Sequence, residues 1–194
     1  MNTNGYQIIL ASASPRRQAY FNELGIPHKV QVIPVEENYP KEAKGAEIAV
    51  HIIHQKAMPF RSIIQPQQLV ITADTIVWHQ NRYLGKPSSE KEAVSMLKAL
   101  SNATHQVTTA VGFLTVNGFE WIAETSEVTF RKLTDTEIHR YVTSGSPMDK
   151  AGAYGIQDSF GEQAILSISG SFTNIVGLPV AQVLTKIQNI VNKG

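Results

Sequence analysis

Two β-rich runs, residues 105–116 and 119–130, are joined by Asn117-Gly118, and this feature most constrains what the chain can fold into. An Asn-Gly pair accepts the left-handed backbone of a two-residue hairpin turn, so the two runs are expected to lie side by side as one long antiparallel hairpin. The rest of the fold has to be built around it. The chain is 194 residues long with 42% hydrophobic and 17% charged residues, which describes a folded domain, and excludes disorder and coiled coil. At this length about 70% of the unfolded chain's surface can be buried, so no metal or disulfide staple is needed.

The flanking pattern mixes helices with strands. Residues 6–11 read as a short buried strand, after which Ser14-Pro15 is an N-cap followed by Pro at the first helical position, opening a helix that Gly25 closes. A helix is expected over 46–58, with Ile48, Ile52 and Ile53 on one side and Pro59 interrupting it. Residues 69–73 form a second buried strand; 75–78 and 82–84 are expected to pair across His79-Gln80-Asn81, with Asp74 where the strand opens. Ser89 with Glu92, and Thr134 with Glu137, are capping boxes for two helices, the first lined by Ala93, Met96, Leu97 and Leu100, the second by Ile138, Tyr141 and Val142 and ended by Gly145. A glycine-rich loop spans 149–157, residues 163–168 and 173–176 read as paired strands, and Pro179 starts a final helix buried through Val183, Leu184, Ile187 and Ile190. The fold class is α/β, a mixed sheet with long antiparallel hairpins flanked by helices. No repeat, linker or low-complexity tract divides the chain, so one domain over 1–194 is expected, open to division into two lobes around a central cleft.

Composition removes several functions. Zero cysteine excludes thiol catalysis, thiolate zinc sites and disulfide scaffolds. A net charge of +1 argues against a general nucleic-acid coat, which needs a large positive excess, so any anion site must be a local cluster. No apolar run approaches the ~18 residues of a membrane span, and the N-terminal charges follow the apolar run instead of preceding it, so no stable nucleic acid, no membrane and a cytoplasmic location are expected. There is no GxxxxGK[ST], GxGxxG or GxSxG motif.

Ser12-Ala13-Ser14-Pro15-Arg16-Arg17 is the first local cluster. Two arginines in a helix's first turn oppose its dipole unless an anion is bound there, and helix amides, hydroxyls and guanidiniums together make a phosphate receptor; a surface cap with two solvated arginines is the plainer reading. Asp74, at a strand end, can hold a divalent cation or activate water, or be a turn-forming residue bonded to its own backbone. Glu36-Glu37 can add a metal oxygen or be a solvated pair. Lys56 and Lys86 are of a type usually found on surfaces, although Lys86 sits between Gly85 and Pro87, where the chain is extended and close backbone approach is possible. In the 149–157 loop small residues surround Tyr154, and Gln157 offers a donor and an acceptor to a base edge; a plain loop reads as well. His51 and His54 lie three apart on a helix, a spacing metals use, but with no third ligand nearby they read as a solvated or packed pair.

Taken in order, LASASPRR, EENYP, HQKA, TADTIV, GKP, HQVTTAV, DKAGAYGIQ and VGLP resemble the Maf family of nucleotide pyrophosphatases over nearly the whole chain. Each piece alone is weak; SxSPRR, ADT and DKAGAYGIQ are specific as a set. The resemblance implies a fold related to the inosine triphosphate pyrophosphatases, hydrolysis of a nucleoside triphosphate between its α and β phosphates, Mg²⁺ or Mn²⁺ as cofactor, and a homodimer. It makes Asp74 the proton acceptor, Glu37 a carboxylate near the metal (with Asp74 able to be base, metal ligand or both), and Ser12, Arg16, Arg17, Lys56 and Lys86 the substrate-binding set. Arg16, Thr75 and Gln157 match the branch that cleaves dTTP and UTP; the 7-methyl-GTP branch has Trp, Gln and Glu there. One departure is Asp158-Ser159-Phe160, where the family usually has glycines.

Two other readings stay open. One is a non-catalytic nucleotide or nucleic-acid binder regulating cell division, against which stand Asp74 and Glu37, since a pure phosphate binder gains nothing from carboxylates beside the anion. The other is a purine-directed pyrophosphatase of the same fold. Pyrophosphate release and a substrate panel separate them.

Overall fold

The computed structural model describes residues 1–193. Seven strands form one sheet in the order β2-β1-β3-β5-β6-β7, with β4 on β3: β1 Gln7–Leu10, β2 His28–Val30, β3 Gln68–His79, β4 Arg82–Leu84, β5 Thr104–Thr115, β6 Gly118–Phe130 and β7 Ile165–Ser169. The helices are α1 Pro15–Glu23, α2 Ala46–Ala57, α3 Glu90–Leu100, α4 Asp135–Thr143, α5 Ser159–Ala164, α6 Phe172–Val176 and α7 Val180–Val191. The chain divides into two compact units, the first comprising Met1–Asp74, Thr109–Glu124 and the segment from Gly177 onward, the second Thr75–Thr108 and Thr125–Val176. The long strands β3, β5 and β6 each give residues to both.

In the first unit β1 pairs in parallel with β2 and β3, in the register Ile8 to Leu69, Ile9 to Val70, Leu10 to Ile71. Alternate side chains of this ladder go to two cores. Ile8, Leu10, Leu69 and Ile71 pack with Phe21 of α1 and Val183, Ile187 and Val191 of α7, while Ile9, Ala11 and Val70 pack with Ala57 and Phe60 at the end of α2. Covering on both faces explains why the strands are unbroken apolar runs without a polar alternation. In the second unit, α3 and α4 pack on each other, β4 pairs antiparallel with the end of β3, and β7 pairs antiparallel with β6 through a register shift at Thr129/Phe130.

Several expectations need correction. Asp74 is inside β3, which runs unbroken from Gln68 to His79, because pairing continues past it; no strand opens there. The hairpin turn falls on Val116-Asn117, one residue before Asn117-Gly118, and Gly118 begins β6 with φ 144°. Residues 173–176 are helical: Gly170 turns the chain at φ 119° and Ser171 Oγ accepts the Asn174 N–H, starting α6, so β7 pairs with β6 instead. Residues 163 and 164 close α5 and are not strand. Pro59 tightens the end of α2 into a 3-10 turn, Met58–Phe60. On α7 the fully buried stripe is Val183, Ile187 and Val191, with Leu184 and Ile190 only partly buried. At Ser89 the box is half made, since the Glu92 carboxylate binds Ser88 instead of the Ser89 N–H, whereas the Thr134–Glu137 box is complete. No helix among the described residues is long and apolar enough to cross a membrane.

Candidate active site

Ser12 lies just beyond the end of β1, after Ala11, where the chain leads into α1. Its hydroxyl is 7% exposed and accepts the Ser14 N–H at 3.3 Å and Arg17 Nη1 at 3.2 Å. Ser14 takes the extended backbone of an N-cap ahead of Pro15, but its side chain caps nothing, and the first turn of α1 holds no acidic residue. The positive end of the helix therefore carries Arg16 and Arg17 with no carboxylate in that turn, the arrangement that favours an anion.

Arg17 does more than face an anion. Buried in the first unit, it donates from Nε to the Gly177 carbonyl at 2.8 Å and from Nη1 to the Ala73 carbonyl at 3.1 Å, tying α1 to β3 and to the segment leading into α7. Burial lowers its pKa, the Asp74 carboxylate pulls it back up, and Arg16 lowers it further. Two of its partners, the Ala73 and Gly177 carbonyls, are not expected from sequence, because a backbone acceptor carries no residue signature.

Asp74 follows Ala73 on β3, with a side chain 14% exposed. Lys56, on the last turn of α2, places Nζ 2.8 Å from Asp74 Oδ1 and 3.0 Å from Glu37 Oε1. Desolvation pushes the Asp74 pKa up, opposed by the charges of Lys56 and Arg17 and by the Lys56 hydrogen bond. A carboxyl whose proton affinity is raised by burial, yet held beside two cations, is suited to accept a proton from a bound water. Ser12 and Arg17, Glu37, Lys56 and Asp74, from four separate segments of the chain, thus meet in one cluster of the first unit.

The two carboxylates converge on one ammonium, and both are hard oxygen donors. Among the described residues no group of three or more His, Cys, Asp or Glu can hold a metal. Two carboxylates are donors of the kind a hard divalent cation takes, and too few for an all-protein cage. His54 packs edge-on against Phe119, with ring centroids 5.1 Å apart.

The other expected site residues belong to the second unit. Thr75 follows Asp74 in β3 and is half-buried. Lys86 is exposed between half-buried Gly85 and buried Pro87, and the Gly85 carbonyl accepts the Gly152 N–H at 3.1 Å. Gln157 is exposed on the turn Gly155-Ile156-Gln157-Asp158, closed by the Asp158 N–H on the Gly155 carbonyl at 3.1 Å. The glycine-rich loop follows a 3-10 turn, Ser146–Asp149, and bends at Ala151–Ala153, where Gly152 (φ 69°) and Ala153 (φ 60°) are left-handed.

The family model described as Maf-like protein matches residues 7–190. A protein named dTTP/UTP pyrophosphatase from Flavobacterium johnsoniae is 44% identical over 186 residues, 96% of either chain. One of the same name from Bacteroides thetaiotaomicron is 46% identical over 190 residues, 97% of this chain and 98% of the other. Among solved structures, a nucleoside-triphosphatase / dITP/XTP pyrophosphatase from Mycobacterium abscessus aligns at 10% identity with a TM-score of 0.45, covering 94% of this chain and 93% of that one, too loose a likeness to carry an argument. The match over residues 7–190 and two near-full-length relatives place this chain in the family of Maf-like proteins.

Proposed function

We infer that this chain is a nucleoside triphosphate pyrophosphatase, a hydrolase that cleaves dTTP and UTP to the monophosphate and pyrophosphate. The observation that carries the reading is near-full-length identity of 44% and 46% to proteins named for that activity, in a chain whose Lys56 and Arg17 flank a carboxylate of raised pKa. The cluster suits the chemistry. A triphosphate brings about four negative charges, which Arg17 and Lys56 of the cluster, together with Arg16 and Lys86 assigned to the same task, would offset while whole-chain charge stays at +1. Asp74 deprotonates or orients the water that attacks the α phosphorus, and the charges of Lys56 and Arg17 oppose the rise in its pKa that burial causes. Glu37 and Asp74 would hold a divalent cation, Mg²⁺ or Mn²⁺, which when bound would stabilise charge on the leaving pyrophosphate. Ser12 accepts from Arg17 and sets the guanidinium's tilt.

Arg16, Thr75 and Gln157 are assigned to the base, where Gln157 offers a carbonyl and a ring N–H of uracil or thymine a donor and an acceptor at once. We further propose a homodimer in the cytoplasm that clears canonical or modified pyrimidine triphosphates from the nucleotide pool. The test is pyrophosphate release from dTTP, UTP, CTP, GTP and 7-methyl-GTP with Mg²⁺, with Mn²⁺ and after chelation. Preference for dTTP and UTP with activity lost on chelation is expected; a purine triphosphate preferred tenfold refutes the base assignment, and no turnover of any triphosphate refutes the activity.

A further inference from the structure

The turn that carries Gln157 is stapled at both ends by a single phenol. Tyr141, on α4, donates its O–H to Asp158 Oδ2 at 2.5 Å and accepts the Gly155 N–H at 3.2 Å. Gly155 and Asp158 are the first and last residues of the four-residue turn, so one oxygen atom fixes its width while Gln157 stands exposed between them. Three further contacts set the turn's depth and tilt. Ile156, 6% exposed, anchors it from below; Ser146 Oγ donates to Asp158 Oδ2 at 2.9 Å; and Lys150 Nζ lies 3.7 Å from the same oxygen while donating to the Ser146 carbonyl at 2.6 Å. Phe160 stacks on the Tyr141 ring with centroids 4.1 Å apart and planes 3° from parallel. Gly161 closes the other side so tightly that an added Cβ would lie 2.1 Å from the Gly155 carbonyl oxygen.

Asp158 and Phe160 supply the acceptor and the stacking face of this clamp. A glycine there could neither receive the phenol nor stack on it. Burial and the Asp158 carboxylate both raise the Tyr141 pKa, so the phenol stays a donor across the working pH range.

We propose that Tyr141 is a positioning residue for base selection, acting through Gly155 and Asp158 to hold the Gln157 turn in the one orientation that reads a pyrimidine. The proposal rests on the assignment of Gln157 to the base. A side-chain amide discriminates between bases only when its backbone is held, since a loose amide can rotate or shift to suit a wrong partner.

The experiment compares wild type, Tyr141→Phe, Asp158→Asn and Gln157→Ala for kcat/KM on UTP and CTP, with hydrogen exchange at the Gly155 amide as a readout independent of turnover. Tyr141→Phe keeps the ring and its stacking on Phe160. It is expected to speed Gly155 exchange about tenfold and to cut the UTP-over-CTP ratio about 5- to 20-fold, with a smaller change in kcat for UTP. Asp158→Asn, which keeps an oxygen acceptor for the phenol, retains most of the preference. In the Gln157→Ala background the Tyr141→Phe change leaves the ratio where Gln157→Ala put it, a coupling that simple loss of stability does not produce. Unchanged Gly155 exchange, an equal fall in turnover of both substrates, or a ratio that drops as far in the Gln157→Ala background overturns the proposal. A wild type that cleaves UTP and CTP alike overturns the base assignment and this inference with it, and is recognised before any substitution is made.

Discussion

Asp74 in the first unit and His105 in the second are both titratable groups withdrawn from water, and their surroundings differ in kind. Asp74 lies against the charges of Lys56 and Arg17, with Glu37 sharing the lysine. His105, 2% exposed, has Nε2 2.7 Å from the Tyr154 hydroxyl and packs edge-on against the Phe130 and Tyr154 rings. Its Nδ1, like Nε2 of His79, has no hydrogen-bond partner among the described residues. Desolvation raises the pKa of Asp74 and lowers that of His105, in each case favouring the neutral form. Only at Asp74 is that tendency opposed by opposite charge. At Asp74 burial and neighbouring charge therefore act against each other, while at His105 burial acts unopposed and the ring serves as a packing surface for Phe130 and Tyr154.

Removing the charge at Asp74 breaks this contrast most strongly. Asp74→Asn is expected to lower kcat about 10²- to 10⁴-fold, since an amide takes no proton. Because the buried carboxylate works against its own desolvation, and Lys56 keeps Glu37 at 3.0 Å, the melting temperature should hold or rise. Near wild-type kcat at saturating Mg²⁺ would remove Asp74 from the chemistry, and a large fall in Tm would show that its charge is structural. The same raised pKa predicts that the acidic limb of the kcat/KM profile lies above the ordinary aspartate value near ~3.9, read from a pH–rate series.

Arg17→Ala comes next. It leaves the Ala73 and Gly177 carbonyls without their donor and deletes a cation beside Asp74, which should cost about 2–4 kcal/mol by denaturant unfolding and raise KM for dTTP while lowering kcat. A kinetic loss with full stability would make Arg17 a pure phosphate ligand; the reverse would make it purely structural. Lys86→Ala sharpens this: at an exposed position, it should shift KM and kcat with Tm unchanged.

His105 tests the other side of the comparison through acid. Its folded pKa is lowered from 6.5 to about 3, so between those values the unfolded chain binds the proton and the folded chain does not. Its contribution is fully present above the unfolded pKa and is lost as pH falls toward 3, up to a few kcal/mol, a loss that His105→Phe should flatten in urea titrations between those limits. An unchanged pH dependence in that variant would place the acid sensitivity elsewhere. The smallest effect is expected at Glu37, half exposed: Glu37→Gln should weaken activation by Mg²⁺ severalfold in a metal titration, with stability shifted by about 1 kcal/mol or less.

How far the sequence reaches differs between these regions. Ser14-Pro15, Thr134 with Glu137, and the two long runs around Asn117 announce α1, α4 and the β5–β6 hairpin, because capping, proline geometry and turn chemistry act over a few residues. The same local logic places Asp74 at a strand end, which β3 contradicts, since a strand continues wherever a neighbour pairs with it and pairing is not local. Residues 173–176 look like a strand by their β-branched content and are helical because the turn at Gly170 and the Ser171 cap outweigh propensity.

By itself, the sequence determined which residue types are available for chemistry: no thiol, carboxylates at Glu37 and Asp74, cations at Arg16, Arg17, Lys56 and Lys86, and a motif set that marks the family. Tertiary structure alone decided that Lys56 bridges Glu37 and Asp74, that Arg17 is spent in part on the Ala73 and Gly177 carbonyls, and that Tyr141 clamps the Gln157 turn. The physical reason is distance along the chain. Each of these contacts joins residues brought together by packing, and the desolvation that shifts Asp74 and His105 in opposite directions exists only once the core has closed around them.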